Sequence, residues 1–313
     1  MLRYVSLARH AGPFRALTGI SVAEFDALAA EAIPALATAD RERLSRPERR
    51  RAIGAGHPMA LTARDQVLMS VIWLRRYPTD GVLGYLAGVD EATIRRIRNR
   101  VVPVLADLGR DTMRLPDPGR GRRAALDDLL ADTPGLAVLI DTFEQSIQRP
   151  GNPAEADAYY SGKKKRHTLK TQIAVDERDG RIVAVSASVR GPTADLTLLA
   201  ASGLLERLPS GVGAIGDLAY IGIAAHHPQG LGAAPRRKPR GQPRPAADIL
   251  YNQAFARRRV RVEHTIRRLR VFDALTMPDR HHRRDHSRRG PAVAGLVNRH
   301  LARGVVQAAA LVR

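Results

Sequence analysis

Three acidic residues stand out for where they fall. Asp141 and Asp217 each close a short apolar run, GLAVLI (135–140) and GVGAIG (211–216). Glu263 lies inside a strongly basic stretch, ARRRVRVEHTIRRLR (256–270). Aspartates at the ends of two strands emerge at one edge of a sheet, and a glutamate from a helix packed across that edge would complete a cage of oxygens. Magnesium takes such hard ligands and keeps positions for water and phosphate. Two such ions about 3.5–4 Å apart activate the attacking oxygen and stabilise the leaving one in phosphodiester chemistry. Each residue alone has a commoner use. Either aspartate can cap a turn or helix, and Glu263 can pair with Arg259 or Arg267 four residues away. Spacing does not decide between these uses.

A second constellation is cationic. In YYSGKKKRHTLKTQ (159–172), Lys163, Lys164, Lys165 and Arg166 run together into His167. Leu169, Thr171, Ile173 and Val175 then alternate with Lys170 and Gln172, which is strand periodicity. Four adjacent positive charges repel one another, so a polyanion is the reason to keep them. The whole chain agrees: 51 Lys and Arg against 31 Asp and Glu give a formal charge of +20 over 313 residues. Such an excess points first to nucleic acid and second to an anionic membrane surface. No apolar run nears the roughly 18 residues of a transmembrane helix, and the N-terminus does not read as a signal peptide. There are no cysteines. Disulfides, thiolate catalysis and cysteine zinc sites are therefore excluded, and a cytoplasmic, nucleoid-associated location is expected. A phosphate-cradling glycine loop is also excluded, since Asp157 stands where its first glycine should be and Lys164 follows Gly162-Lys163. No nucleotide cofactor is expected. RHHRRDHSRR (280–289) reads as a solvated, phosphate-facing loop.

The elements that must carry these residues fall into two regions. Residues 1–60 read as arginine-rich helix with loops. Thr62 can cap a helix with Val67, Leu68, Val71, Ile72 and Leu74 on its apolar stripe, stopped by Tyr77-Pro78. A short helix over 81–87 ends at Gly88, and Asp90 caps a third, EATIRRIRNRVV, with Ile94 and Ile97 inward and Arg95, Arg96, Arg98 and Arg100 free to point out. Helix, glycine turn and capped basic helix is the layout of a helix-turn-helix DNA reader. It is equally the layout of a three-helix packing module with a solvated basic face, and the global charge favours the reader, with Arg95, Arg96 and Arg98 on DNA. LPDPGRGRR (115–123) reads as a linker between an N-terminal helical region, 1–114 (helix-turn-helix about 62–108), and a second region, 124–313. There the order is strand, hairpin about Asp179-Gly180 leading into 181–191, helix 195–207, strand 211–217, basic loop 228–246 and helix 247–270. That is a mixed α/β layer fold.

Four separated blocks, YYSGKKKRHTLKTQ, GPTADLTLL, GDLAYIG and RVRVEHTIRRLR, together resemble the bacterial insertion-sequence transposases of the DDE superfamily. The likeness is to the endonuclease group with an N-terminal helix-turn-helix, and it spans roughly 60–300. It implies a ribonuclease-H-like catalytic domain that cuts and joins DNA at an element's terminal inverted repeats with two Mg2+ ions, Mn2+ able to substitute. It also implies a homo-oligomer, at least a dimer, on terminal-repeat and target DNA, and no membrane. Carried over, the catalytic and metal-binding triad is Asp141, Asp217 and Glu263, with Asp195 of the GPTAD block in support. Lys163, Lys164, Lys165, Arg166, His167 and Lys170 are placed on DNA, as are Arg267 and Arg270, where the group often has a lysine. The chain departs from the group in reading Asp141-Thr142-Phe143-Glu144 where Asp-Gly-Thr is frequent, which makes Glu144 a competing carboxylate. His264, beside Glu263, is left unassigned. Rival readings are a non-catalytic DNA-binding regulator descended from a transposase and a metal-dependent endonuclease without strand transfer.

Overall fold

Capping residues set where the N-terminal helices begin. In the computed structural model, α1 (Tyr4–Leu7) and α2 (Ala11–Thr18) precede α3 (Val22–Leu44), which opens on a reciprocal Ser21–Glu24 capping box. Thr62 Oγ1 accepts from Asp65 N to start α4 (Ala63–Arg76), Thr79 from Val82 N to start α5 (Asp80–Ala87), and Asp90 from Thr93 N to start α6 (Glu91–Arg110). The structure describes residues 1–45, 52, 59–119 and 128–310, the last eight by backbone alone; the arginines of 46–51 and residues 120–123 of the expected linker lie outside the described residues. The expected stripe on α4 is wider than its sequence suggests, with Asp65 to Leu74 buried throughout. The helix packs against α2, α3 and α6 at once. Its polar members are paired: Gln66 Nε2 donates to Leu61 O (2.8 Å) and Asp65 accepts from Tyr4 N (2.8 Å).

By contact the chain divides into a helical unit, Met1–Asp111 with Arg270–Met277 and Pro291 onward, and a sheet unit, Thr112–Leu269 with Pro278–Gly290. A boundary at 115–123 would leave 270–277 and the C-terminal helix with the sheet. They cluster with the N-terminal helices instead. Gly109 of α6 and Gly295 of α12 (Arg289–Ala310) come so close that a Cβ on Gly109 would stand 2.1 Å from Pro291 O. Arg299 holds Glu31 at 2.6 Å.

The sheet unit begins with β1 (Ala137–Ser146), followed by α7 (Pro153–Tyr159), β2 (Tyr160–Ser161), β3 (Arg166–Asp176), β4 (Ile182–Val185) and β5 (Val189–Arg190). Then come α8 (Asp195–Ser202), α9 (Leu204–Arg207), β6 (Gly213–Ile215), α10 (Ile223–His226), β7 (Gly232–Ala233) and α11 (Ala246–Arg270). The order across the sheet is β2-β3-β1-β6-β7, with β4 and β5 both on β3. β3 is antiparallel to β1, while β6 and β7 run parallel to it. Alternation along β1 sends Val138 and Ile140 into a core with Ala174, Ala214, Leu199, Leu205 and Tyr220. The strand expected over 181–191 divides because Ser186 Oγ takes Gln172 N (2.9 Å) and donates to Ala187 O (2.8 Å), interrupting the ladder. The helix expected over 195–207 divides at Gly203, whose φ is 59°.

RHHRRDHSRR is not a solvated loop throughout. His286 is 1% exposed, and Arg289 is buried with Asp279 at 2.9 Å. His286 Nε2 lies 2.6 Å from Gln145 Oε1 and Nδ1 2.7 Å from Ser188 Oγ, which is 3.0 Å from Thr171 Oγ1. A neutral ring donating to Gln145 and accepting from Ser188 satisfies this chain. Burial, with the Arg289 charge added, pushes the His286 pKa down to about 4, against the pull of Asp279. Unfolded histidine titrates near 6.5, so the unfolded chain takes up a proton that the folded one refuses. Stability from this group is complete above the unfolded value and is lost as pH falls towards the folded one. Between pH 7 and 5 the loss should be about 2 kcal/mol. Urea unfolding at both values, wild type against His286→Gln, should show a smaller pH dependence in the variant; equal dependence would refute the buried neutral ring.

Candidate functional site

Register brings the two aspartates together. Leu139 of β1 pairs in parallel with Ile215, the last residue of β6; continued two residues along both chains, that register would bring Asp141, which lies within β1 and not at its end as expected, level with Asp217. Neighbouring strands lie about 4.8 Å apart, and aligned residues of a parallel pair face the same side. Asp217 stays extended (φ −82°, ψ −167°) and caps the turn Leu218–Tyr220 through Ala219 N at 2.9 Å. Asp141 Oδ1 accepts from Thr142 N at 2.7 Å, and Oδ2 lies 3.4 Å from Arg259 Nη2 of α11. Burial raises the Asp141 pKa, offset by the Thr142 amide and Arg259, while the charges of Asp217 and Asp195 raise it further.

The third member of the triad is placed differently. Glu263 is exposed on α11, and Arg259, one turn earlier, makes the contact with Asp141. Among the described residues no three His, Asp or Glu side chains converge closely enough to hold a metal ion. The pair Asp141–Asp217 nonetheless suits a hard divalent cation. Its donors are carboxylate oxygens, and its charge is only partly offset. The guanidinium contact is long for a charge-assisted hydrogen bond, for which about 2.7–2.9 Å is usual, and Arg259 Nε is buried without a partner.

Asp195 does not join the pair as a ligand, nor does it cap a helix. It is the first residue of α8, and its Oδ1 takes Lys170 Nζ at 2.7 Å, both side chains nearly buried. Lys170 also donates to Thr193 O at 2.5 Å. Its expected role on DNA is therefore corrected: the alternation of β3 turns it under the sheet. Glu144 accepts from Thr168 Oγ1 at 2.6 Å. Sequence reasoning missed Tyr220 and read Arg259 only as a partner for Glu263. Tyr220 is fully buried, its hydroxyl accepts from Gln172 Nε2 at 2.8 Å, and burial plus the charges of Asp195, Asp141 and Asp217 raise its pKa so that it stays a phenol. Its signal was the glycine of GDLAYIG: a Cβ on Gly216 would sit 2.3 Å from the ring.

The remaining cations divide by exposure. Lys163, Lys164, Lys165 and Arg166 are exposed in the turn joining β2 to β3, closed by Lys165 at φ 51°. None of the four forms an ion pair among the described residues. His167 packs edge-on to Tyr160 at 5.5 Å. Tyr159 lies beneath the guanidinium of Arg283 at 4.8 Å. Arg267 and His264 are exposed on α11; Arg270 ends it and belongs by contact to the helical unit. On α6, Arg95 and Arg96 are exposed, as is Asn99, which the sequence reading passed over. Arg98 is a correction. It is 9% exposed, holds Asp80 at 3.1 Å and lies over the Trp73 ring at 4.9 Å, so it supports the helix pair from inside.

A family model described as DDE superfamily endonuclease matches residues 140–298, and one described as helix-turn-helix of DDE superfamily endonuclease matches 60–111. A curated protein described as a probable transposase for insertion sequence element IS702, from Microchaete diplosiphon, is 27% identical over 289 residues, 92% of this chain and 94% of its own length. No solved structure matches the chain. Among the described residues no helix is long and apolar enough to cross a membrane.

Arg98→Ala would strand Asp80, 6% exposed, without its closest partner. Breaking a buried pair costs about 3 kcal/mol or more, whereas Arg96→Ala on the surface should stay within about 0.5 kcal/mol. Denaturant unfolding of the two variants separates an internal brace from a surface contact; equal effects would return Arg98 to the surface.

Proposed function

The chain belongs to the DDE superfamily endonucleases, an all-α helix-turn-helix region ahead of a ribonuclease-H-like mixed sheet, and we propose that it acts as a DNA transposase. On this reading it binds the terminal inverted repeats of an insertion sequence, cuts at the element end, and joins the freed 3′-hydroxyl to target DNA, working as at least a dimer. The observation that supports the proposal is the parallel register of β1 on β6, which ends at Leu139 and Ile215 and, if continued by two residues, would align Asp141 with Asp217. These two carboxylates would hold the divalent ions, Mg2+ or Mn2+, with Glu263 brought to them from α11. The bound ions would supply charge stabilisation at the phosphodiester and activation of the attacking oxygen. Arg259 offsets the Asp141 charge in their place. Lys163–Arg166 position the polyanion, because exposed cations without acidic partners are free to meet phosphates. Arg95, Arg96 and Asn99, on the exposed side of α6, are the side chains offered to base edges. Tyr220 and Gln172 keep the floor beneath the aspartates polar and closed.

Asp217→Asn should keep DNA binding and abolish metal-dependent cleavage, since an amide supplies no anionic charge, while Glu144→Gln should still cleave. Gel analysis of end-labelled repeat duplexes with Mg2+ reads both; near-normal cleavage by Asp217→Asn would end the assignment. Cleavage without joined products in the wild type would reduce the protein to an endonuclease, and binding without cleavage to a regulator. Changing Lys163, Lys164 and Lys165 to alanine should lower the log–log salt slope of binding by up to ~2.7, at ~0.9 per phosphate. Discrimination of repeat from random duplex should persist, because phosphates position and base edges specify. Cleavage should fall more than binding; an unchanged slope with normal cleavage would make the turn an idle surface.

A further inference from the structure

Between Asp217 and Asp248 the chain holds no acidic residue, yet it places Arg236, Arg237, Lys238, Arg240 and Arg244 among Pro235, Pro239, Pro243 and Pro245. This segment joins β7 to α11. Prolines hold φ near −65° and remove backbone donors, so the strap crosses without pairing into the sheet. Both its ends are fastened. Arg236 N donates to Asn252 Oδ1 (2.8 Å), and Asn252 Nδ2 returns a bond to Arg236 O (3.0 Å). The Arg236 guanidinium pairs with Asp248 at 3.1 Å and covers the Tyr251 ring at 4.2 Å. At the other end Pro245 O accepts from Asp248 N (3.0 Å) and Ile249 N (3.1 Å).

Arg236 is thus used as an anchor, and what it anchors is a set of charges left over. Arg237, Lys238 and Arg240 are exposed, and none forms an ion pair among the described residues. Arg244 keeps a buried Nε without a hydrogen-bond partner. Mounting like charges on a fastened, proline-stiffened strap forgoes both dispersal and neutralisation, which favours a polyanionic partner. Placement names the partner. Ala214 pairs with Gly232 in parallel, so the same register continued sets Pro235 beside Asp217. The strap therefore leaves the sheet at the carboxylate edge from its β7 side, while Lys163–Arg166 sit on the β2 side.

We propose that residues Arg236 to Arg244 form a second DNA clamp, in which Arg237, Lys238 and Arg240 grip duplex phosphates beside the paired aspartates independently of sequence. The proposal rests on the reading of that edge as a site acting on DNA. The test is a salt titration of full-length protein on a labelled duplex of random sequence. It compares wild type, a variant with Arg237, Lys238 and Arg240 changed to alanine, one with Arg237 and Arg240 changed to lysine, and Gln242→Ala. The alanine variant should lose up to ~2.7 of the log–log slope, at ~0.9 per phosphate. The lysine variant should keep the slope because point charges still neutralise phosphates, and Gln242→Ala should match wild type. Thermal unfolding in parallel should be unchanged, since these side chains are exposed. A wild-type slope in the alanine variant, with the Lys163–Lys165 variant still lowering it, overturns the clamp and leaves the site's reading intact. Wild-type protein that binds no duplex overturns both.

Discussion

Two neighbouring carboxylates, Asp141 within β1 and Asp217 just past the end of β6, repel each other, and the sheet unit is arranged to hold that repulsion in place. The register of β1 on β6 is fixed from the opposite face, where Val138, Ile140 and Ala214 pack with Tyr220 and the helices α8 and α9. A slip of one residue would turn those side chains out and the aspartates in, a cost far above any charge repulsion relieved. Backbone amides then hold each carboxylate locally, Thr142 N on Asp141 and Ala219 N on Asp217. From α11, Arg258 takes Glu177 through two contacts of 2.8 and 3.0 Å, and Thr265 reaches Gly180 O at 2.8 Å. The helix is thereby fastened to the β3–β4 turn, which fixes where Arg259 meets Asp141.

The excess of positive charge resolves into two populations with different work. Arg98 with Asp80, Lys170 with Asp195, Arg258 with Glu177 and Arg289 with Asp279 are largely buried and paired. Such pairs gain little net stability over apolar packing, but removing one partner is expensive, so they act as registration marks between elements. The second population, Lys163–Arg166 with Arg237, Lys238 and Arg240 of the strap, is exposed and without acidic partners among the described residues. These charges hold nothing inside the protein. A formal charge of +20 points to a polyanion, but only the sorting of cations by burial says which residues remain to meet it.

That sorting is also where reading the sequence reaches its limit. Local chemistry was legible: the caps Thr62 and Asp90, the alternation of β3, the Asp179-Gly180 turn and Asp217 following a short strand all depend on neighbours within a few residues, whereas β1 runs on past Asp141 to Ser146 because its ladder with β3 continues. Arg98 was legible in principle, since it lies four residues after Ile94 and three before Val101, inside the apolar stripe of α6. Its charge obscured its place. Lys170 needed a partner 25 residues away, and His286 one 141 residues away. The latter lies in a six-residue 3-10 helix, Arg283–Arg288, too short for periodicity to assign a face. The C-terminal helix gives no sign in its own residues of which unit it joins; that depends on two glycines, Gly109 and Gly295, meeting across α6 and α12.

Arg259 and Glu263 are one turn apart on α11, so they occupy neighbouring places on the same side of the helix. What distinguishes them is the quality of the bond each can make with the site. Arg258, the adjacent residue, shows what a well-formed guanidinium pair looks like here: two contacts to one carboxylate and two more to Thr133 and Pro134. Arg259 has one contact at 3.4 Å and an orphaned buried Nε. A buried donor without a partner costs about 1–3 kcal/mol, and a single long contact offsets only part of that. Arg259 is therefore held at Asp141 weakly in comparison with Arg258 at Glu177. A cation seated between Asp141 and Asp217 would relieve the carboxylate repulsion directly and free a guanidinium that is poorly satisfied where it stands, so both changes favour the exchange.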